Sequence, residues 1–287
     1  MQAALDHLVV NVRDKMDEAA MRYRKLGFHL PPEGRHSLGS NNHVMVFETE
    51  YLELMGLPPE VAARGGGPDI TRDPVGLAAC ALTTVDAGAT HRDLQALGIS
   101  AKEPASFSRP VDLGEVTREA AFTITRIDPA ETPAGRVFFC QHHTRDLVWR
   151  PEWQTHPNGA LGIAEVDAVV PEPAESAVFY ETLLGRDAVQ RTAGSVHVTL
   201  GSVTLRLMTR AELSALYGVG SAPNDSRPAY LAAVTLKVAD VDKTATYLNS
   251  KAIVYAVADR AVVVPAHECM NMIVRFRNDP EPRSPHP

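Results

Sequence analysis

The sequence predicts an α+β protein made of four βαβββ units, paired into two tandem halves. Three observations lead to this prediction: a strand–acid–helix pattern occurs four times, strand-like runs follow each helix, and two linkers divide the 287-residue chain. A chain of this length is long for one domain and suits two of about 140 residues. Repetition of one supersecondary unit is a strong indication of architecture.

Each repeat begins with a short apolar strand, followed by an acidic residue and a helix of about three turns. The four strands and their acids are residues 5–12 with Asp14, 76–84 with Asp86, 163–170 with Glu172 and 231–238 with Asp240. An acid at the start of a helix interacts favourably with the helix dipole. Glycine follows the first three helices, where a positive φ is often needed, whereas the fourth has the weaker sequence Asn-Ser-Lys at 249–251.

Shorter strand-like runs after each helix complete the units. They are recognised by β-branched residues and by turn residues between them. The runs are 43–47 and 51–55 in the first unit, 121–124 and 137–141 in the second, 196–200 and 203–207 in the third, and 261–264 and 272–276 in the fourth. We interpret each unit as βαβββ.

Two linkers suggest how the chain is divided. Gly-Gly-Gly-Pro at 65–68 separates the first two units, and a Pro-containing stretch at 149–158 separates the halves. The expected domains are residues 1–154 and 155–278. Residues 279–287 are expected to be a disordered tail because they are mostly proline and polar residues.

Composition excludes several classes of function. The net charge is −7 and no basic stripe is present, which argues against a nucleic-acid-binding protein. No apolar run approaches the roughly 18 residues of a membrane span, and the N-terminus lacks the features of a signal peptide, so a cytoplasmic protein is expected. The three cysteines are far apart in apolar runs and are interpreted as buried free thiols.

Four short motifs carry a resemblance to a known family. They are LDHLVV at 5–10, YLEL at 51–54, QH at 141–142 and HPNGA at 156–160. With these motifs and its paired βαβββ units, the chain resembles the glyoxalase-like branch of the vicinal oxygen chelate superfamily. That superfamily includes glyoxalases, extradiol dioxygenases and bleomycin-resistance proteins. The resemblance implies two tandem glyoxalase-like halves and a divalent metal held in a cleft by the first and last strands of a unit.

The resemblance points to His7 and Glu53 as metal ligands. Both are polar residues inside apolar strands, where an unpaired polar group is costly. Imidazole and carboxylate suit zinc, iron, manganese or nickel, so the implied metal has no fixed identity. The alternative is a hydrogen-bonded histidine in the core. We expect the two side chains to share one face, with polar atoms within about 5 Å of each other.

The third ligand is open at this stage. Aligning the second unit on the first places Ala79 opposite His7 and Gln141 opposite Glu53, and only the Gln141 amide oxygen could bind a metal. Residue 142 should point to the other face, unless a one-residue bulge exchanges the two. The expected third ligand is Gln141, or alternatively His142 if such a bulge is present, with His43 and His156 as further candidates. Glu53 and His142 are the expected catalytic residues.

Three further residues are predicted to bind substrate, namely His43, His156 and Trp149. Trp149 lies in the linker, where covering the core is the commoner role for an aromatic residue. The expected partners are a small-molecule substrate or ligand, and a homodimer is a further alternative.

The second half lacks the metal-ligand pattern. Glu165 falls opposite His7, while Arg206 and Arg275 fall opposite Glu53. Arginine has no lone pair with which to bind a metal. We expect this half to be metal-free, with Arg206 paired to Glu165, or alternatively to bind an anionic group through its arginines.

Three functions follow from this pattern. The first is a divalent-metal-dependent enzyme acting on a small oxygenated substrate. Glyoxalase-type isomerisation or lyase chemistry is favoured over ring-cleaving dioxygenation, which needs a stricter triad of two histidines and one carboxylate. The second is a metal-free protein that binds or sequesters a small molecule. The third is a structural module.

Overall fold

The computed structural model describes residues 3–114, 116–192 and 194–279, which form two eight-stranded sheets with helices between their strands. Each sheet contains two βαβββ units, as the repeat predicts. The strand order in every unit is the same, with the second, third, fourth and first strands side by side. The first strands of two units pair antiparallel at the centre of each sheet.

The first sheet spans most of the first half of the chain. Its elements are β1 (Leu5–Arg13), α1 (Met16–Lys25), β2 (Gly34–Arg35), β3 (Asn41–Val46), β4 (Tyr51–Gly56), α2 (Pro59–Ala62), β5 (Gly76–Thr83), α3 (Ala87–Ala96), β6 (Ala105–Asp112), β7 (Thr117–Arg126) and β8 (Arg136–His142). The strand order is β2-β3-β4-β1-β5-β8-β7-β6.

The second sheet repeats this plan. Its elements are β9 (Ala160–Val169), α4 (Pro173–Leu184), β10 (Val189–Arg191), β11 (Val196–Leu200), β12 (Val203–Met208), α5 (Arg210–Tyr217), β13 (Tyr230–Val238), α6 (Val241–Ser250), β14 (Ala256–Ala258), β15 (Ala261–Val264) and β16 (Ile273–Asn278). The strand order is β10-β11-β12-β9-β13-β16-β15-β14.

The repeated acids lie where the pattern predicts. Asp86 and Asp240 are N-caps whose carboxylates accept hydrogen bonds from backbone N–H groups of the first turn. Glu172 is the N-cap of α4, and Asp14 lies one residue before the N-cap of α1. At the end of the fourth helix, Ala252 takes the positive φ (50°) that glycine adopts after the other three.

The strand-like runs recognised in the sequence did not include one strand of each unit. These strands are β2, β6, β10 and β14. These are edge strands, and β2, β10 and β14 are only two or three residues long. The longer β6 carries Ser, Arg and Pro residues and is largely accessible, so it lacks an apolar run. Edge strands are commonly short, polar or proline-containing, because such edges resist pairing with other chains.

The two edges of the first sheet approach each other and turn it into a cup. Ser37, just after β2, donates its backbone N–H to the carbonyl of Ser108 in β6 (2.8 Å). The Ser108 N–H in turn donates to the Ser37 hydroxyl (3.2 Å). The inner face of the cup therefore forms a cleft that strands line on nearly all sides.

The two halves are packed against each other through a common core. The Tyr23 hydroxyl donates to the carbonyl of Cys269 (3.2 Å), and the Glu50 carboxylate accepts from the backbone N–H of Ile163 (2.6 Å). The first sheet ends at His142 and the second begins at Ala160, so the division at 154/155 falls between them and stays a prediction.

The remaining expectations concern thiols, membranes and the tail. All three cysteines are buried free thiols. Within the described ranges, no helix has the length and apolar character needed to cross a membrane. Apart from Asp279, the tail predicted to be disordered lies outside the described residues.

Candidate functional site

A β-bulge in β1 brings two adjacent side chains together. The pairing of β1 with β5 passes from Leu5–Leu82 directly to His7–Ala81, so Asp6 is an extra residue. Such a bulge re-aims side chains that would otherwise alternate between faces. Asp6 and His7 are both buried, and the Asp6 Oδ1 atom lies 2.6 Å from His7 Nδ1.

Asp6 also holds His142, which lies at the end of β8. Its Oδ1 atom is 2.9 Å from His142 Nε2. Burial raises the pKa of Asp6, but the hydrogen bonds from His142 and His7, with the charges of these residues, outweigh it and lower the pKa well below its usual range. An ionised carboxylate only accepts hydrogen bonds, so Asp6 fixes the proton of His7 on Nδ1 and leaves Nε2 directed elsewhere.

His7 Nε2 is directed at Glu53. The imidazole stacks on Tyr51 with ring centroids 4.3 Å apart, and Nε2 lies 3.7 Å from Glu53 Oε2. The expectation that the two polar ends lie on one face within about 5 Å is therefore confirmed. A separation of 3.7 Å is too long for a hydrogen bond. The Nε2 atom of His7 and the Oε2 atom of Glu53 face each other across a space that suits a cation.

Two residues that the sequence reasoning missed surround the other Glu53 oxygen. Asn42 donates from Nδ2 to Glu53 Oε1 (2.6 Å), and His36 Nε2 lies 4.0 Å from the same oxygen. The Nδ1 atom of His36 is 2.9 Å from the Ser40 hydroxyl. Burial lowers the pKa of His36 to about 4, so this imidazole is neutral near pH 7. The polar segment HSLGSNN at 36–42 was the available signal.

The cleft above these residues is a cavity of about 320 Å³ with apolar walls. The wall residues include Val44, Met55, Phe107, Phe122, Ile124 and Phe138. Arg109 of β6 also lines the cavity and is only 5% exposed. Charged and polar side chains line the rest of the cavity. A cavity of this size that combines aromatic walls with convergent polar groups is typical of a small-molecule site.

The position of Gln141 corrects the expected third ligand. Its Oε1 atom accepts from the backbone N–H of Ala87, and its Nε2 atom donates to the carbonyl of Val85, so the side chain binds the start of α3. The strand register explains the error. Glu53 pairs with Val9, and the equivalent residue of β5, Ala81, pairs with Phe138. Phe138 is therefore the counterpart of Glu53.

His142 lies on the cleft side of β8 without any bulge in that strand. The β7–β8 register is continuous, and alternation from Phe138 and Cys140, which line the cavity, places His142 on that face. Its ring packs against Phe122 and Trp149, at centroid distances of 5.0 Å each. His142 contacts Asp6 and not Glu53, so it lies behind His7 and not at the cavity surface.

The other predicted substrate-binding residues do not line the cavity. His43 lies on the opposite face of β3, where its Nδ1 atom donates to the carbonyl of Pro31 (2.9 Å). His156 accepts at Nδ1 from the backbone N–H of His29 and donates from Nε2 to Val46, and burial lowers its pKa to about 4. Trp149 packs against His142. All three contribute to packing.

A compact group of potential metal ligands lies around Asp6. The ligand atoms of Asp6, His7, Cys140 and His142 are within 4.8 Å of one another, the one such group of three or more in the described residues. Asp6 already accepts hydrogen bonds from both histidines. Burial raises the pKa of the Cys140 side chain, so it is a thiol. The outward-facing pair of His7 Nε2 and Glu53 Oε2 fits a metal better, because two atoms bound to one ion at about 2.1 Å lie roughly 3–4 Å apart.

Ion pairs fill the equivalent region of the second half. Asp167 accepts from Arg206 Nε (2.8 Å) and from the Tyr217 hydroxyl. Glu165 is 3.8 Å from Arg206 and 3.0 Å from Arg277. The expected Arg206–Glu165 pair is present, but Asp167 is the nearer partner and was missed. Burial raises the pKa of Asp167, against the opposing effect of Arg206.

Comparison with known proteins gives one family match and several similar folds. The family model of the glyoxalase-like domain matches residues 5–184. No curated protein matches the sequence. Among solved structures, a hypothetical protein from Staphylococcus aureus is 14% identical with a TM-score of 0.67, covering 97% of this chain and all of that one.

Two further structures share the fold at similarly low identity. A mutant of 4-hydroxymandelate synthase from Streptomyces coelicolor is 10% identical, with a TM-score of 0.58 over 99% of this chain and 94% of its own. A xylose isomerase-like TIM barrel/4-hydroxyphenylpyruvate dioxygenase fusion protein is 12% identical, with a TM-score of 0.58 over the whole of this chain and 50% of its own. With its paired βαβββ units and a family match over more than half its length, this chain belongs to the glyoxalase-like family of the vicinal oxygen chelate superfamily.

Proposed function

We propose that this protein is a divalent-metal-dependent enzyme that acts on a small oxygenated substrate in the first-half cleft. One observation carries the proposal: Asp6 binds His7 Nδ1, while His7 Nε2 lies 3.7 Å from Glu53 Oε2. Metal-binding histidines almost always donate their other ring N–H to a carboxylate or carbonyl, which fixes the tautomer and raises the basicity of the ligand nitrogen. Asp6 supplies that group here.

His7 and Glu53 would hold the ion, and His36 is the nearest further donor. A divalent ion at this place supplies Lewis acidity toward two neighbouring substrate oxygens. Neighbouring side chains orient the two ligands: Asn42 orients Glu53, and Asp6 orients His7. Glu53 lines the cavity and could accept a proton from a bound substrate.

Glyoxalase-type isomerisation or lyase chemistry is the favoured reaction. The first strands of the two units offer His7 and Ala79, and the last strands offer Glu53 and Phe138, so these positions provide one histidine and one carboxylate. Ferrous dioxygenases use two histidines and one carboxylate. Dioxygenation is therefore the second candidate and requires His36 to act as a ligand. Two proteins of similar fold are a 4-hydroxymandelate synthase and a 4-hydroxyphenylpyruvate dioxygenase fusion protein.

A metal-free protein that binds or sequesters an apolar ligand is the alternative. The apolar walls of the cavity and the reduced set of ligands both favour it. A cytoplasmic location and a homodimer are further proposals that rest on the sequence alone.

Metal analysis of matched variants tests the proposal. The protein is purified without chelator or affinity tag, and its metal content is measured by mass spectrometry for the wild type, His7→Ala and His43→Ala. Both histidines are buried in strands of the same sheet, but only His7 faces Glu53. We expect about one metal ion per chain in the wild type and in His43→Ala, and loss of the metal in His7→Ala. Equal metal content in all three, or none in the wild type, would overturn the proposal.

A further inference from the structure

Arg109 is a buried cation without a partner. Its side chain lines the cavity, the residue is 5% exposed, and no hydrogen bond or ion pair connects its guanidinium to any other described residue. Burying an unpaired charge is costly, so buried arginines are normally paired or bound to a ligand. The guanidinium therefore has hydrogen-bonding capacity that the protein leaves unused.

The fold makes room for this side chain. Gly34 of β2 lies against Arg109, and a Cβ atom at position 34 would be 2.9 Å from Arg109 Cδ and 3.1 Å from Nη1. Any larger residue would force one of the two to move. Glycine at position 34 therefore leaves space for the Arg109 side chain.

Arg109 stays charged and is not neutralised by Glu53. Burial lowers its pKa, while nearby Tyr51 and Glu53 raise it. Arginine remains protonated at neutral pH even after such a shift. Asn42 already donates to Glu53 and no Glu53 oxygen lies within ion-pair distance of Arg109, so the guanidinium is available to another anion.

Three other cations line the cavity. Lys102 is 3.0 Å from Asp69 and Arg136 Nε is 2.6 Å from Asp73, so these two are paired. The Arg126 side chain, like that of Arg109, forms no hydrogen bond or ion pair with another described residue, but Arg126 is less buried. Arg109 is thus the most buried cation of the cavity, which Phe107 and Phe122 also line.

We propose that the cleft selects organic carboxylates, with the carboxylate bound by Arg109 and an apolar body packed against the aromatic walls. A planar guanidinium can form two parallel hydrogen bonds with a carboxylate. This inference deepens the proposed function, since it names the substrate class of the same cleft. Arg109, however, is no metal ligand, so the preference for a carboxylate is a property of the metal-free protein too.

The test compares two ligands of nearly equal shape in protein stripped of metal. The probes are 3-phenylpropanoate and its uncharged analogue 3-phenylpropanamide, and binding is measured by titration calorimetry. Hydrogen bonds to charged groups predict that wild-type protein binds the carboxylate on the order of 10- to 100-fold more tightly than the amide. In Arg109→Gln this preference should disappear.

Two variants provide controls. Lys102→Gln removes a positive charge that lines the same cavity but is paired with Asp69, so it should keep the preference. Arg109→Lys should keep part of it, and circular dichroism melting shows whether each variant is folded. The inference is overturned if wild-type protein binds neither probe or binds both equally, or if Arg109→Gln retains the preference. Absence of metal from the wild-type protein as purified would reject the metal-dependent enzyme and not this inference, because the carboxylate preference is measured in protein stripped of metal.

Discussion

His7 Nε2 and Glu53 Oε2 lie 3.7 Å apart, on two parallel strands whose register pairs His7 with Tyr51 and Val9 with Glu53. Asp6 directs the histidine and Asn42 directs the carboxylate. Two potential ligand atoms thus meet at the floor of an apolar cleft, with their remaining hydrogen bonds already formed by neighbours.

Replacing the group behind His7 should weaken metal binding without removing a ligand. In Asp6→Asn the side chain loses its charge, so the hydrogen bonds that this one side-chain oxygen accepts from His7 and His142 become weaker. Loss of such a supporting group typically costs 10- to 100-fold in metal affinity, so we expect a decrease of about that size. Zinc titration with a competing chelator measures it. Asp86→Asn, at the N-cap of α3, is a control that should leave the affinity unchanged.

Gln141 should act on stability and not on metal binding. Its amide bonds to Ala87 and Val85 at the start of α3, so Gln141→Ala should lower the free energy of unfolding by about 1–2 kcal/mol. Urea denaturation gives this value, and metal content should match that of the wild type. Loss of metal in this variant would mean that Gln141 is a ligand after all.

Two buried histidines should make the protein less stable in mild acid. Burial lowers the pKa of both His36 and His156 from 6.5 to about 4. Because the folded pKa lies below the unfolded one, the stabilisation is complete above pH 6.5 and is lost as pH falls toward 4. Each group contributes a slope of about 1.4 kcal/mol per pH unit within that window.

Unfolding by urea at several pH values checks this dependence. His156→Gln removes one of the two groups and lies outside the cleft, so the slope between pH 6 and 4.5 should fall by roughly 1.4 kcal/mol per unit. An unchanged slope in this variant would show that His156 is protonated in the folded protein as readily as in the unfolded one.

The ion-pair network of the second half should be structural. Asp167 is fully buried and depends on Arg206 and the Tyr217 hydroxyl. Arg206→Met leaves this carboxylate without its cation, and breaking a buried pair in this way typically costs about 3–5 kcal/mol. Thermal and urea unfolding should show that loss, while the carboxylate preference of the first-half cleft should be unchanged. Loss of that preference in folded Arg206→Met would contradict a purely structural role.

The sequence predicted the architecture better than the site, for a physical reason. Four βαβββ units follow from local signals such as Asp86 and Asp240 at helix starts, and the pairing of His7 with Glu53 follows from strand alternation. Gln141 was misassigned because the register between β5 and β8 depends on long-range pairing. The bulge at Asp6 has no local signal either, so its contact with His142 was not anticipated.

Arg109 illustrates a second limit. It lies in β6, an edge strand whose polar residues gave no apolar run, and its burial results from the approach of β2 across the cup. The same approach of β2 toward β6 brings His36 and Asn42 to the site. Such residues become recognisable only once the sheet is closed.

The most direct test of the metal site is a crystal structure of the protein soaked in manganese, with the ion located by anomalous scattering. We predict one strong peak in the first-half cleft, within about 2.0–2.2 Å of both His7 Nε2 and a Glu53 oxygen. A peak bound instead among Asp6, Cys140 and His142, or no peak near His7, would contradict the proposed metal site.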